Sequence, residues 1–105
     1  MASDRVFRES DGLAIRREET GSKGRYVGAL DGSEAEMTYS RAGETTVIID
    51  HTSVPDALRG KGVGAALVQR GVEDARAEGR KIIPLCPFAK AQIAKHADWQ
   101  DVLRD

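Results

Sequence analysis

The sequence predicts an α+β domain in which an antiparallel meander of strands runs into a parallel strand-helix-strand unit, giving one mixed sheet flanked by helices. Three observations carry that expectation. Up to Val54, apolar and polar residues alternate with the period of a half-buried strand, and turn residues punctuate them. At Pro55 the strand grammar ends, and from Val63 the apolar residues recur at helical spacing. After Gly79 the short apolar run Lys81–Cys86 returns to strand character, and its connection through a helix implies a parallel, right-handed crossover.

Taken in order, residues 1–12 form a polar lead-in with Val6 and Phe7 as its small apolar pair, either frayed or a short edge strand, and residues 13–105 form the domain. Leu13–Glu18 has weak strand character. Gly24–Leu30 reads as a strand with Tyr26, Gly28 and Leu30 on one face. Asp31-Gly32 is a hairpin signal, because both central positions of a type I′ turn need positive φ. In Glu34–Arg41, Ala35, Met37 and Tyr39 share the buried face. A second hairpin at Ala42-Gly43-Glu44 leads to Thr45–Val54, whose Val47, Ile48 and Ile49 suit a central strand covered on both faces.

The following helix carries Val63, Leu67, Val68, Val72 and Ala75 as its apolar stripe and ends at Gly79. Pro87 opens another helix reaching about His96, with Phe88, Ala91 and Ile93 available for packing. A last turn around Asp98–Leu103 lays Trp99 on the sheet.

Composition bounds the function. A chain of 105 residues with interspersed charges and a net charge of -1 has no basic face for nucleic acid, so any affinity for an anion must be local. No apolar run approaches a membrane span, and Met-Ala-Ser-Asp-Arg at the N-terminus lacks the apolar region of a secretion signal, so a cytoplasmic location is expected. One cysteine and two histidines are too few for a structural zinc site.

Arg59-Gly-Lys-Gly-Val-Gly64 is the stretch that points to chemistry. Glycine lets a bound group approach the backbone, the N–H groups at the helix start face one point, and Arg59 and Lys61 add charge; a pyrophosphate fits there. A plain glycine turn between strand and helix is equally compatible with the three glycines alone. Gly60, Gly62 and Ala65 also satisfy a dinucleotide-binding pattern, but the acidic residue and the preceding strand-helix-strand unit it needs are missing. A Walker loop fails because Gly62, not Ser or Thr, follows Lys61.

Arg59, Gly62 and Gly64 fit an RxxGxG/A motif, and His51-Thr-Ser-Val-Pro55, Pro84-Leu-Cys-Pro-Phe88 and His96-Ala-Asp-Trp99 accompany it in order. Together these resemble the small single-domain proteins of the GCN5-related N-acetyltransferase superfamily, in particular an acetyltransferase-like subgroup with the PLCPF motif, over about residues 24–103. Ala97, where that pattern has proline, and the longer N-terminal segment are departures. The resemblance implies that the strands on either side of the helix splay apart around the pantetheine arm of CoA. Thr52, Ser53 and Val54 would then offer it backbone groups, and Arg59, Gly60, Lys61, Gly62, Val63 and Gly64 would hold the pyrophosphate. It also implies that Cys86 faces the thioester.

His51 and Cys86 are the side chains near that crevice suited to chemistry close to neutral pH: the start of the following helix favours the Cys86 thiolate, so Cys86 is expected to take the acetyl group first, in preference to direct attack by the amine, with His51 as the base for an incoming ammonium. Each also suits a packed structural role, as His96 and Trp99 do. The expected function is transfer of acetyl from acetyl-CoA to a primary amine of a protein lysine, a polyamine or a small molecule, by a monomer or weak dimer. A non-catalytic CoA or acyl-CoA binding module is the alternative.

Overall fold

The computed structural model describes residues 12–104, so the lead-in expected over residues 1–12 lies outside it except for Gly12. The strands are β1 (Ala14–Thr20), β2 (Lys23–Leu30), β3 (Ser33–Ala42), β4 (Thr46–Ser53) and β5 (Lys81–Pro84), and the α-helices are α1 (Val63–Glu78) and α2 (Pro87–Ala94). Single 3₁₀ segments span Asp56–Leu58 and Ala97–Val102. The sheet has five strands in the order β1-β2-β3-β4-β5. Its first four strands are antiparallel neighbours and β5 pairs parallel with β4, the α+β meander and crossover the sequence predicts. No described helix is long and apolar enough to cross a membrane.

The β2–β3 turn of the meander follows from local chemistry. Asp31 and Gly32 take φ values of 53° and 80°, the paired positive angles of a type I′ turn, and this sets the β2–β3 register at Leu30 opposite Ser33. In β3 the alternation holds: Ala35, Met37 and Tyr39 are buried while Glu34, Thr38 and Ser40 are not. Tyr26, Leu30, Val47 and Ile49 join them beneath α1, whose Val63, Leu67, Val68, Val72 and Ala75 form the other half of one continuous core.

Burial of β4 on both faces holds only at its start. Thr46 and Val47 are both buried, but Ile48 is half-buried and Asp50 is exposed, because α1, α2 and the Ala97–Val102 turn pack against one another on one side of the sheet. In α2 the packing residues are Ala89 and Ile93; Phe88 and Ala91 are exposed instead. Trp99 is buried and stacks on His96 with ring centroids 3.7 Å apart, while Leu103 bridges to Ile82, so both aromatics serve the last turn.

A polar network ties the far end of α1 to the sheet. Tyr26 donates to Asp74 (2.7 Å), Tyr39 donates to Glu19 (2.6 Å), and Arg17 reaches Tyr39 (2.8 Å) and Glu78 (2.6 Å). Arg17 is held protonated above its usual range by Glu78, and burial pushes the Tyr26 phenol up. The bond from Tyr39 holds Glu19 below the carboxylate range, and that from Arg17 does the same for Glu78. Anchored there, α1 presents its N-terminus at the opposite end of the sheet.

Gly24 faces Tyr39 across the β2–β3 ladder, and a Cβ at Gly24 would collide with the end of the Tyr39 ring. Tyr39 cannot swing aside without losing Arg17 and Glu19. Gly24→Ala is therefore expected to lower stability by about 1–3 kcal/mol, read from urea denaturation, the usual penalty of overpacking a core. Because Glu19 and Glu78 titrate lower folded than unfolded, the stability they confer is complete above the unfolded value of 4.5 and is lost as pH falls through their folded values. The urea midpoint should hold from about pH 7 to about pH 5 and fall below that. Arg17→Met should flatten the acid decline in proportion to the share of Glu78.

Candidate active site between β4 and β5

The two parallel strands run together for a short distance only. Their ladder pairs Thr46 with Lys81, Val47 with Ile82, Ile48 with Ile83 and Ile49 with Pro84, and there it stops. The Ile49 carbonyl then accepts from both Leu85 N–H and Cys86 N–H, each at 3.1 Å, which turns the chain out of the sheet and into α2. Asp50–Ser53 of β4 continue with β3 on one side and no β5 residue on the other. A gap thus opens between the strands.

β4 carries a bulge at that point. Tyr39 pairs with Ile49 but Thr38 pairs with His51, so Asp50 is an extra residue without a partner in β3. The bulge rephases the strand. Before it, odd-numbered residues face the helices with Tyr39; after it, Thr52 opposite Met37 takes that face, and His51 opposite Thr38 turns to the open one. His51 is exposed. Unbroken alternation would have put His51 on the helix side with Ile49.

The sequence-predicted residues accordingly separate into two groups. On the helix side, Cys86 is 4% exposed and its thiol donates to Thr52 Oγ1 at 3.3 Å. Cys86 is also the residue before the first turn of α2, and its carbonyl accepts from Lys90 N–H at 3.0 Å. Across β4, His51 has its carbonyl bonded by Thr38 Oγ1 at 3.5 Å. The structure thus pairs Cys86 with Thr52, whose side chain has no role in the sequence reading, and sets His51 on the other side of the strand. Only the register shift reveals this.

Below the gap, a cleft of about 400 Å³ is lined by Thr52, Val54, Gly60, Gly62, Gly64 and Phe88, among others. Gly62 is the residue before α1 and takes φ 78°. The first bond of the helix ladder runs from Ala66 N–H to Gly62 O at 3.0 Å, so the amides of Val63, Gly64 and Ala65 precede the ladder and point out of the helix end. Gly64 lies under Phe88: a Cβ there would be 2.9 Å from the ring. Phe88 is 38% exposed and forms a wall of the cleft, a role the helical pattern around Pro87 does not announce.

The two cations of the loop are partnered at the surface. Arg59 meets Asp56 at 3.1 Å and Lys61 meets Asp31 at 3.6 Å, all four side chains well exposed. Such pairs are worth little and exchange readily for another anion. Amides at a helix start, two exposed cations and an apolar wall suit a pyrophosphate with a slender arm attached, so these residues fit CoA. Among the described residues, no group of three or more His, Cys, Asp or Glu is placed to hold a metal ion.

Comparison with known proteins agrees with this geometry. A family profile described as GCN5-related N-acetyl-transferase matches residues 25–102. The NMR solution structure of a GCN5-like N-acetyltransferase candidate from Staphylococcus aureus is similar over 88% of each chain, at 37% identity and a TM-score of 0.65. No curated protein matches the chain.

Proposed function

The chain belongs to the GCN5-related N-acetyltransferase family, and from that premise we propose that it transfers acetyl from acetyl-CoA to a primary amine. The observation that carries this reading is the continuity of the β4–β5 gap with the glycine loop. A ligand with its pyrophosphate on the amides of Gly60–Gly64 would run past Thr52, Ser53 and Val54, whose β5 side has no strand partner, to reach Cys86. Bound acetyl-CoA supplies an activated acyl thioester.

The protein's own groups divide the remaining work between the two faces of β4. His51, on the open face, takes the proton of an incoming ammonium so that a free amine is presented to the gap. Cys86, held by Thr52 on the helix side, stands where the acetyl group arrives and either receives it first or packs beside it. The absence of a contact between His51 and Cys86 favours direct attack by the amine over a thiol activated by that histidine. A non-catalytic CoA-binding module is the second reading, supported by the burial of Cys86.

Two experiments test this. A side chain at Gly62 would fill the anion's space and strain a residue at φ 78°. In calorimetry, Gly62→Val is expected to weaken CoA binding by about one to two orders of magnitude, the equivalent of roughly 1–3 kcal/mol; unchanged affinity in a folded variant removes the cradle from the account. Intact mass spectrometry after brief exposure to acetyl-CoA without acceptor separates the routes. Normal turnover by Cys86→Ala with loss in His51→Ala is the outcome expected for direct attack. A transient acetyl adduct, lost with turnover in Cys86→Ala, would establish the covalent route, and no turnover of any amine by the wild type would leave the binding module.

A further inference from the structure

The open face of the sheet holds a second concavity. A groove of about 380 Å³ crosses it from Glu18 on β1 to Asp50 on β4. Of its charged residues, Glu18 and Arg25 neutralise each other at 2.8 Å, and Arg16 adds a second bond to Glu18. Lys23 and Asp50 are in no ion pair among the described residues. A single hydroxyl links them: Lys23 Nζ donates to Ser40 Oγ at 2.9 Å, and Ser40 donates to Asp50 Oδ2 at 2.8 Å. One ammonium and one carboxylate thus stand two hydrogen bonds apart in the same groove, bridged by Ser40 and without a direct ion pair. Asp50 is the extra residue of the bulge and the immediate neighbour of His51.

We propose that this groove is the acceptor site and that the acceptor is a small amino-carboxylate, its ammonium held by Asp50 and its carboxylate by Lys23. The inference rests on the acetyl-transfer reading and adds to it the acceptor class. Charge decides between candidates. A polyamine would bring a second cation against Lys23, whereas an amino acid carries its two charges a few ångströms apart in the opposite sense to Lys23 and Asp50. Reaction at that position balances: the ammonium gives one proton to His51, and the N–C bond forms as the C–S bond of the thioester breaks. The second proton of the nitrogen then leaves with the departing thiolate as a thiol. Asp50 and Lys23 are both exposed and outside the core, so their substitution leaves the fold intact.

The test is amide chemical-shift titration of the CoA-saturated protein with L-alanine, β-alanine and ethylamine, which lacks the carboxylate. At least one of the two amino acids should shift Ser40 and Asp50 and bind several-fold more tightly than ethylamine, the factor an exposed ion pair supplies. Lys23→Met should abolish that preference, and Asp50→Asn should weaken both ligands. Equal binding of ethylamine, an unaffected Asp50→Asn, or shifts produced only by a lysine-containing peptide would overturn the inference, as would no shift with any ligand. CoA calorimetry on the same samples keeps the two levels apart. Failure of the wild type to bind CoA sinks the underlying reading, while CoA binding without these shifts sinks the amino-carboxylate alone.

Discussion

The Ile49 carbonyl is the point on which the site depends. By accepting from both Leu85 and Cys86 it ends the β4–β5 ladder and directs the chain into α2, one residue before β4 bulges at Asp50. Had the parallel pairing continued, Asp50–Ser53 would be a closed internal strand, and the end of the sheet would offer nothing but side chains. Two separate irregularities, the departure of the chain from the sheet after Pro84 on one strand and an extra residue on the other, act at the same level of the sheet and open one gap. Ligands of α/β proteins commonly bind beyond the carboxyl ends of parallel strands, and here that position coincides with the start of α1.

The rest of the molecule keeps this gap in place. The core under α1 is continuous from Leu13 to Val102, and the Tyr26, Tyr39 and Arg17 network clamps the helix at the end away from the site. The loop at the other end is free of such ties. Arg59 and Lys61 make exposed pairs with nearby carboxylates, and an arriving pyrophosphate can displace these at small cost. Rigidity and availability are thus distributed to opposite ends of one helix.

Most of the fold was legible because each element agrees with its own local rule. Alternation placed Ala35, Met37 and Tyr39, the Asp31-Gly32 pair set the hairpin, and helical spacing placed Val63 through Ala75. The glycine loop and its helix were also readable, since backbone conformation leaves its mark in residue type. What escaped was the phase of β4. Asp50-His51-Thr52 carries no glycine or proline to mark an irregularity, and a bulge is a relation between two strands that neither sequence shows alone. Sequence alternation would therefore assign His51 and Thr52 to the wrong faces, and the thiol's partner went unnoticed. The burial of β4 on both faces failed beyond its start for a related reason: Ile48 looks like a core residue, but which face the helices cover is decided by their packing on one another.

Backbone amide mapping by NMR tests the central claim most directly, because it reports where CoA sits independently of catalysis. Titration with CoA should shift the amides of Gly60 through Ala65 together with those of Thr52, Ser53 and Val54, tracing one ligand from the start of α1 into the β4–β5 gap. Shifts confined to the loop, or centred elsewhere on the sheet, would contradict the account, since the gap would then be an irregularity of the fold with no ligand to fill it.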